Sequence, residues 1–226
     1  MTASQFHPTQ WTLVLRARGS DEPGRAALSE LCAAYYEPVV AFLRRGGKGE
    51  DEAREMAHAF FESLLAGGIG APEPGRGRFR SYLLGALKHF QVSRHRAEVA
   101  EKRGGGAEHV SLTAAGLPGR ADDGRAFDRD WALALIGRAL ASLEAEEADR
   151  AGRFAALRPW LDGAAEGSQA ELADRLGMSG TAVKVAIHRL RQRFREKVRR
   201  EVAATVSGPE EVDEELRHLV GILSMG

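Results

Sequence analysis

Apolar residues recur along this chain at spacings of three and four, the signature of helices with one buried stripe. Residues 26–45 place Leu28, Leu31, Cys32, Tyr35, Val39 and Phe42 on such a stripe, which stops at Gly46-Gly47. Pro38 within that run predicts a kink or a division, because proline removes a helical hydrogen bond. Residues 50–66 repeat the pattern with Ala53, Met56, Ala57, Phe60, Phe61, Leu64 and Leu65. A Gly/Pro-rich loop over 69–78 precedes a third helix over 79–102, with Phe79, Tyr82, Leu83, Ala86, Leu87 and Phe90 directed inward. The pattern then fails. Residues 104–127 hold Gly104-Gly105-Gly106, Pro118, Gly119 and Asp122-Asp123, a composition that predicts a flexible linker. Helical spacing resumes over 127–147 (Trp131, Leu133, Leu135, Ile136, Leu140, Leu143) and over 153–161.

Residues 168–200 are more specific. Ser168 and Glu171 form a capping-box signature, and Leu172, Ala173 and Leu176 share the face that follows. Gly177 stands where the helix ends, Met178 plugs the corner, and Ser179 or Thr181 caps the next helix. In that helix Val183, Ile187, Leu190, Phe194 and Val198 form a back to be buried. Thr181, Lys184, His188, Arg191 and Arg195 form the front. Short helix, glycine turn, and a second helix with an apolar back and a cationic front is the helix-turn-helix pattern, whose second helix enters the major groove N-terminus first. An ordinary bundle helix with a solvated basic face is the plainer alternative. Against it, Glu196 is the one acid between Lys184 and Arg200, amid eight Lys and Arg residues.

The expected architecture is all-α, with two small helical domains joined by a flexible linker. Domain one covers 1–103, the linker 104–127, a helix-turn-helix domain 128–206, and an acidic amphipathic tail 207–226. No strand-like alternation of useful length and no repeat is visible.

The chain has 226 residues and a formal net charge of zero, which at first argues against nucleic acid. The charge is uneven, however, and local fields decide binding. From Arg76 to Arg103 eight cations face two acids. From Glu201 onward one arginine faces six acids. Cys32, the single cysteine, excludes an internal disulfide or a thiolate metal cluster. The seven histidines are dispersed, and no phosphate loop, dinucleotide fingerprint or nucleophile elbow is present. No enzymatic activity, metal or cofactor is therefore expected. No continuous apolar run approaches the about 18–20 residues of a membrane span, and no export leader is recognisable, so a cytoplasmic protein without a membrane partner is expected.

Several segments resemble bacterial RNA polymerase sigma factors of the extracytoplasmic-function (ECF) type, closest to the subgroup abundant in planctomycetes. EAREMAHAFFE (Glu52–Glu62) is similar to the acidic helix of that family, and RGRFRSYLLGALKHF (Arg76–Phe90) to its promoter-melting helix. EKRGGG (Glu101–Gly106), GTAVKVAIHRLRQRFRE (Gly180–Glu196) and EVAATVSGPEEVDEELRHL (Glu201–Leu219) are similar to later segments, the second being the recognition helix. The resemblance covers roughly residues 8–222. His58 and Ala57 depart from the usual glutamine and threonine of the acidic helix, and Ser93 from an acid that often follows the melting helix.

The resemblance implies that Glu52, Glu55, His58 and Glu62 dock on the β′ coiled coil of core RNA polymerase, and that the second module meets the β flap. It implies promoter DNA as a partner and admits an anti-sigma factor. Lys88, Arg94 and Arg96 would hold the backbone of a melted strand with Arg80, while His89 and Gln91 lie near the non-template bases. Phe79 and Phe90 fit the apolar stripe better than base stacking. Ser179, Thr181, Lys184 and His188 would reach base edges of the upstream element, and Arg191 and Arg195 its phosphates. A stand-alone helix-turn-helix regulator is the alternative. In the tail, Val212, Leu216, Leu219, Val220 and Leu223 predict a short helix over 209–223, which either masks the recognition helix or extends the second core.

Overall fold

The computed structural model describes residues 21–66, 79–102, 123–161, 163–206 and 209–225. All regular structure among them is helical. The α-helices are α1 (Glu22–Arg45), α2 (Glu50–Leu65), α3 (Phe79–Lys102), α4 (Asp123–Glu146), α5 (Ala151–Leu157), α6 (Gln169–Leu176), α7 (Gly180–Ala203) and α8 (Val212–Ser224). Short 3-10 turns lie at Ala148–Arg150, Arg158–Trp160 and Pro209–Glu211.

Contacts divide the described chain into two compact units. One contains the residues up to Ala134 together with those from Ala203 onward, and the other is Leu135–Val202. The division falls inside α4, whereas the sequence places it in the glycine-rich stretch. Of that stretch, residues 104–122 lie outside the described residues. The reason is visible in α4 itself: Phe127 and Trp131 belong to the first core, and Leu143 to the second. An unbroken helical period cannot reveal that its buried stripe changes core partway along.

In the first unit Leu31, Tyr35, Val39, Phe60, Phe79 and Trp131 are fully buried. Tyr35 meets Phe79 edge-on with ring centroids 5.2 Å apart and stacks near Trp131 at 6.4 Å. Phe60 packs edge-on against Phe90 at 5.7 Å, so Phe79 and Phe90 serve the core. Pro38 does not divide α1, which continues to Arg45. Tyr35, Val39, Val40 and Leu43 are buried around it. Each such burial contributes about 1.5–3 kcal/mol, which together outweighs roughly 3 kcal/mol for an internal proline. The best 18-residue window of α1 reaches a mean hydropathy of 1.2, enough to cross a membrane by length and composition, and 53% of it is buried inside the protein. Alanines in α1 raise that mean without forming one continuous apolar run.

The second unit packs Leu143, Phe154, Leu157, Leu172, Val183, Ile187 and Leu190 together, with Met178 and Phe194 against them. α5 ends at Leu157, four residues short of the helical run anticipated to Leu161, and Pro159 lies in the 3-10 turn that follows. Leu133 is 52% exposed and Val220 62% exposed, so neither joins the apolar stripe read for it.

Candidate nucleic-acid interface

Local chemistry sets the corner between α6 and α7. The Ser168 hydroxyl accepts from the Glu171 N–H at 3.2 Å, and the Glu171 carboxylate accepts from the Ser168 N–H at 3.1 Å. Two orphan donors at the start of α6 are thereby satisfied. Gly177 ends α6 at φ 61°, ψ 33°, the left-handed conformation that disfavours a Cβ. Ser179, rather than Thr181, caps α7: its Oγ accepts from the Ala182 N–H at 3.2 Å.

From that corner α7 runs with Val183, Ala186, Ile187 and Leu190 buried. Thr181, Lys184, Val185, His188, Arg189 and Arg195 are exposed on the opposite side. The five residues of the front read from sequence, Thr181, Lys184, His188, Arg191 and Arg195, are all exposed, as is Ser179 at the corner. Arg191 Nε donates to the Trp160 carbonyl at 2.8 Å, which fixes its stem beside the end of α5 while the residue stays exposed.

Two further cations of the helix face the other way. Lys197 is buried, its Nζ donating to Ser142 Oγ at 2.8 Å and Glu146 Oε1 at 2.6 Å. Arg193 pairs with Glu146 at 2.8 Å and with Glu147. Hydrogen bonds from Lys197 and Arg193 hold the Glu146 carboxyl down at about 2, and the same carboxylates push the Arg193 guanidinium up. The cationic front is therefore smaller than the count of basic residues suggests. The position of Lys197, seven residues after Leu190, was the available signal that it joins the inward stripe.

Val185 and Arg189 were not assigned to the front by sequence, yet both lie on it. With Arg153 of α5, Met178, Ser179 and Thr181 they line a groove of about 380 Å³ beside the N-terminal half of α7.

In the first unit α3 carries the other group of cations, and the expectation for Arg80 is corrected. Arg80 is 3% exposed, donates from Nε to Asp128 at 2.8 Å, pairs with Glu215 of α8, and lies 4.9 Å above the Trp131 ring. A guanidinium held this way is a structural element of the core and is unavailable to a strand. Lys88 is half-buried with its ammonium 5.9 Å from the Phe42 ring centroid. Gln91 and Arg94 are half-buried, and His89 and Arg96 are exposed, seven residues apart on one face.

The tail is also reassigned. Val212 and Leu219 are buried, Glu215 joins Arg80, and His218 Nε2 lies 3.4 Å from Asp128. The tail belongs to the first unit, so it does not extend the second core. Its acidic character hides one carboxylate that points inward, a role invisible to composition.

On α2, Glu52, Glu55, His58 and Glu62 are all exposed on one face. Lys48 pairs with Glu52. His58 Nε2 lies 3.1 Å from the Tyr36 hydroxyl with the rings 5.2 Å apart. Hydrogen bonds that Arg54 donates to Tyr36, Glu50 and Glu37 raise its guanidinium on the adjacent flank. Among the described residues no group of three or more His, Cys, Asp or Glu is arranged to hold a metal ion. Comparison of the chain with family models, with curated proteins and with solved structures returns no match.

Proposed function

We propose that this chain is a promoter-recognising initiation factor of the ECF sigma type, acting with core RNA polymerase and performing no covalent chemistry of its own. The observation that carries the reading is α7. It follows a capped helix and a left-handed glycine, buries an apolar back, and leaves Lys184, His188, Arg189 and Arg195 exposed. In this reading α6 and α7 are a helix-turn-helix in a domain of its own. The N-terminal half of α7 reads the upstream promoter element in the major groove.

The remaining exposed groups fit the same role. His89 and Arg96 on α3, with half-buried Gln91 and Arg94, offer cations and polar edges to a melted strand, as single-strand binding requires. Glu52, Glu55 and Glu62, with His58, offer an acidic ridge to a basic partner surface, here the polymerase β′ coiled coil. The site of action is the compartment that holds the polymerase.

Run-off transcription from a promoter library, with core polymerase and the full chain, tests the proposal. Promoter-dependent transcripts are expected only when both are present. Tight sequence-specific duplex binding without polymerase, and no transcripts with it, would overturn the reading in favour of a stand-alone regulator.

A further inference from the structure

Within that proposed promoter-reading role, we infer that Val185 is a specificity-determining residue that reads the C5-methyl group of one thymine in the upstream element. Val185 is an anomaly on its surface. It is 41% exposed, one of the few large apolar side chains so exposed among the described residues. It stands in the first two turns of α7, the part of a recognition helix that approaches base edges. Its neighbours along the helix face are Thr181, His188 and Arg189, and Lys184 precedes it.

The groove it lines is amphipathic in the way a duplex demands. Arg189 on α7 and Arg153 on α5 supply cations for phosphates, and Ser179 and Thr181 supply hydroxyls. Val185 and the Ala186 and Met178 side chains supply the apolar floor. In the major groove only thymine presents a methyl group, so an apolar side chain set among cations discriminates for thymine by burial rather than by hydrogen bonding. The cations around Val185 favour a polyanion over a neutral apolar protein surface as the occupant. Nothing in the apolar periodicity of α7 requires a valine here, since the position lies off the buried stripe.

The experiment selects duplexes bound by the full chain with core polymerase. Each thymine of the selected upstream element is then replaced singly by deoxyuracil, which removes the methyl and leaves every hydrogen-bonding edge unchanged. The wild-type chain should lose about fourfold in affinity at one thymine, the value of one buried methyl. Val185→Ala should bind the parent duplex about as weakly as wild type binds the uracil duplex, and should show no further loss on uracil. An exposed valine-to-alanine change within a helix leaves folding intact, which circular dichroism checks. Indifference of the wild type to uracil at every position, or a uracil penalty that survives in Val185→Ala, overturns the inference while leaving promoter recognition standing. Failure to select any duplex overturns both.

Discussion

Arg80 and Glu215 stand 135 positions apart in the chain and meet as an ion pair in which the two side chains are 3% and 2% exposed. The pair ties the start of α3 to the middle of α8, and Asp128 of α4 takes the guanidinium Nε. Removing one member of a buried pair strands the other charge, which costs far more than the net worth of the pair. Glu215→Ala should destabilise the protein by roughly 3 kcal/mol, the low end for a broken buried pair, because Asp128 still holds Arg80. The double change Arg80→Met with Glu215→Leu should recover most of that loss, while Arg217→Ala on the exposed face of α8 should stay within about 0.5 kcal/mol of wild type. Urea unfolding of the three variants checks the order.

Acid should weaken the contact between α4 and α7 through Glu146. Its carboxyl is held at about 2 in the folded protein by Lys197 and Arg193, below the ordinary carboxylate range. The unfolded chain therefore binds the proton more readily. The contribution is fully present above about pH 4.5 and fades as pH falls through about 2. Glu146→Gln should be less stable than wild type at neutral pH, and the two should converge in acid. A difference that stays constant from pH 6 to pH 2 in thermal melts would show that Glu146 acts by packing alone.

The corner between α6 and α7 rests on single residues. Ser168→Ala should cost about 1 kcal/mol through loss of the cap. Gly177→Ala should cost roughly 1 kcal/mol or more, because φ 61° presses a Cβ toward the following carbonyl oxygen. Thermal unfolding reports both, and hydrogen exchange should show the added opening concentrated in α6 and the first turn of α7.

Two cations on α7 should behave differently toward DNA. Lys184→Ala should cost about 1–3 kcal/mol on the preferred sequence and relax selection at one base position. Arg195→Ala should weaken all sequences alike and reduce the salt slope by about one. Binding titrations at several salt concentrations against a panel of single-base variants separate the two. A sequence-selective loss from Arg195→Ala would reverse the assignment.

Charge reversal on α2 should act on a partner and leave the fold unchanged. Glu55→Lys with Glu62→Lys alters two exposed positions of one helix face. Co-purification with core polymerase should fall by tenfold or more while helix content and melting temperature stay near wild type. Retained polymerase binding would remove this face from the docking surface.

The local elements of this protein are legible in residue order alone. A capping box, a left-handed glycine and an apolar period are interactions among residues three or four apart, so Ser168, Glu171, Gly177 and the stripe from Val183 to Leu190 could be read directly. The same periods gave the all-helical character and the exposed front of α7. Which cations remain on the surface depends also on packing between distant segments. Arg80 looks basic in any count, yet a carboxylate 135 positions away holds it inside, and carboxylates 46 and 47 positions away tie down the half-buried Arg193. Such packing also decides where one core ends, since Phe127 and Leu143 share one helix but separate interiors. The reason is physical: periodicity states that a face will be buried, while the identity of what covers it depends on charges and shapes brought together from distant parts of the chain.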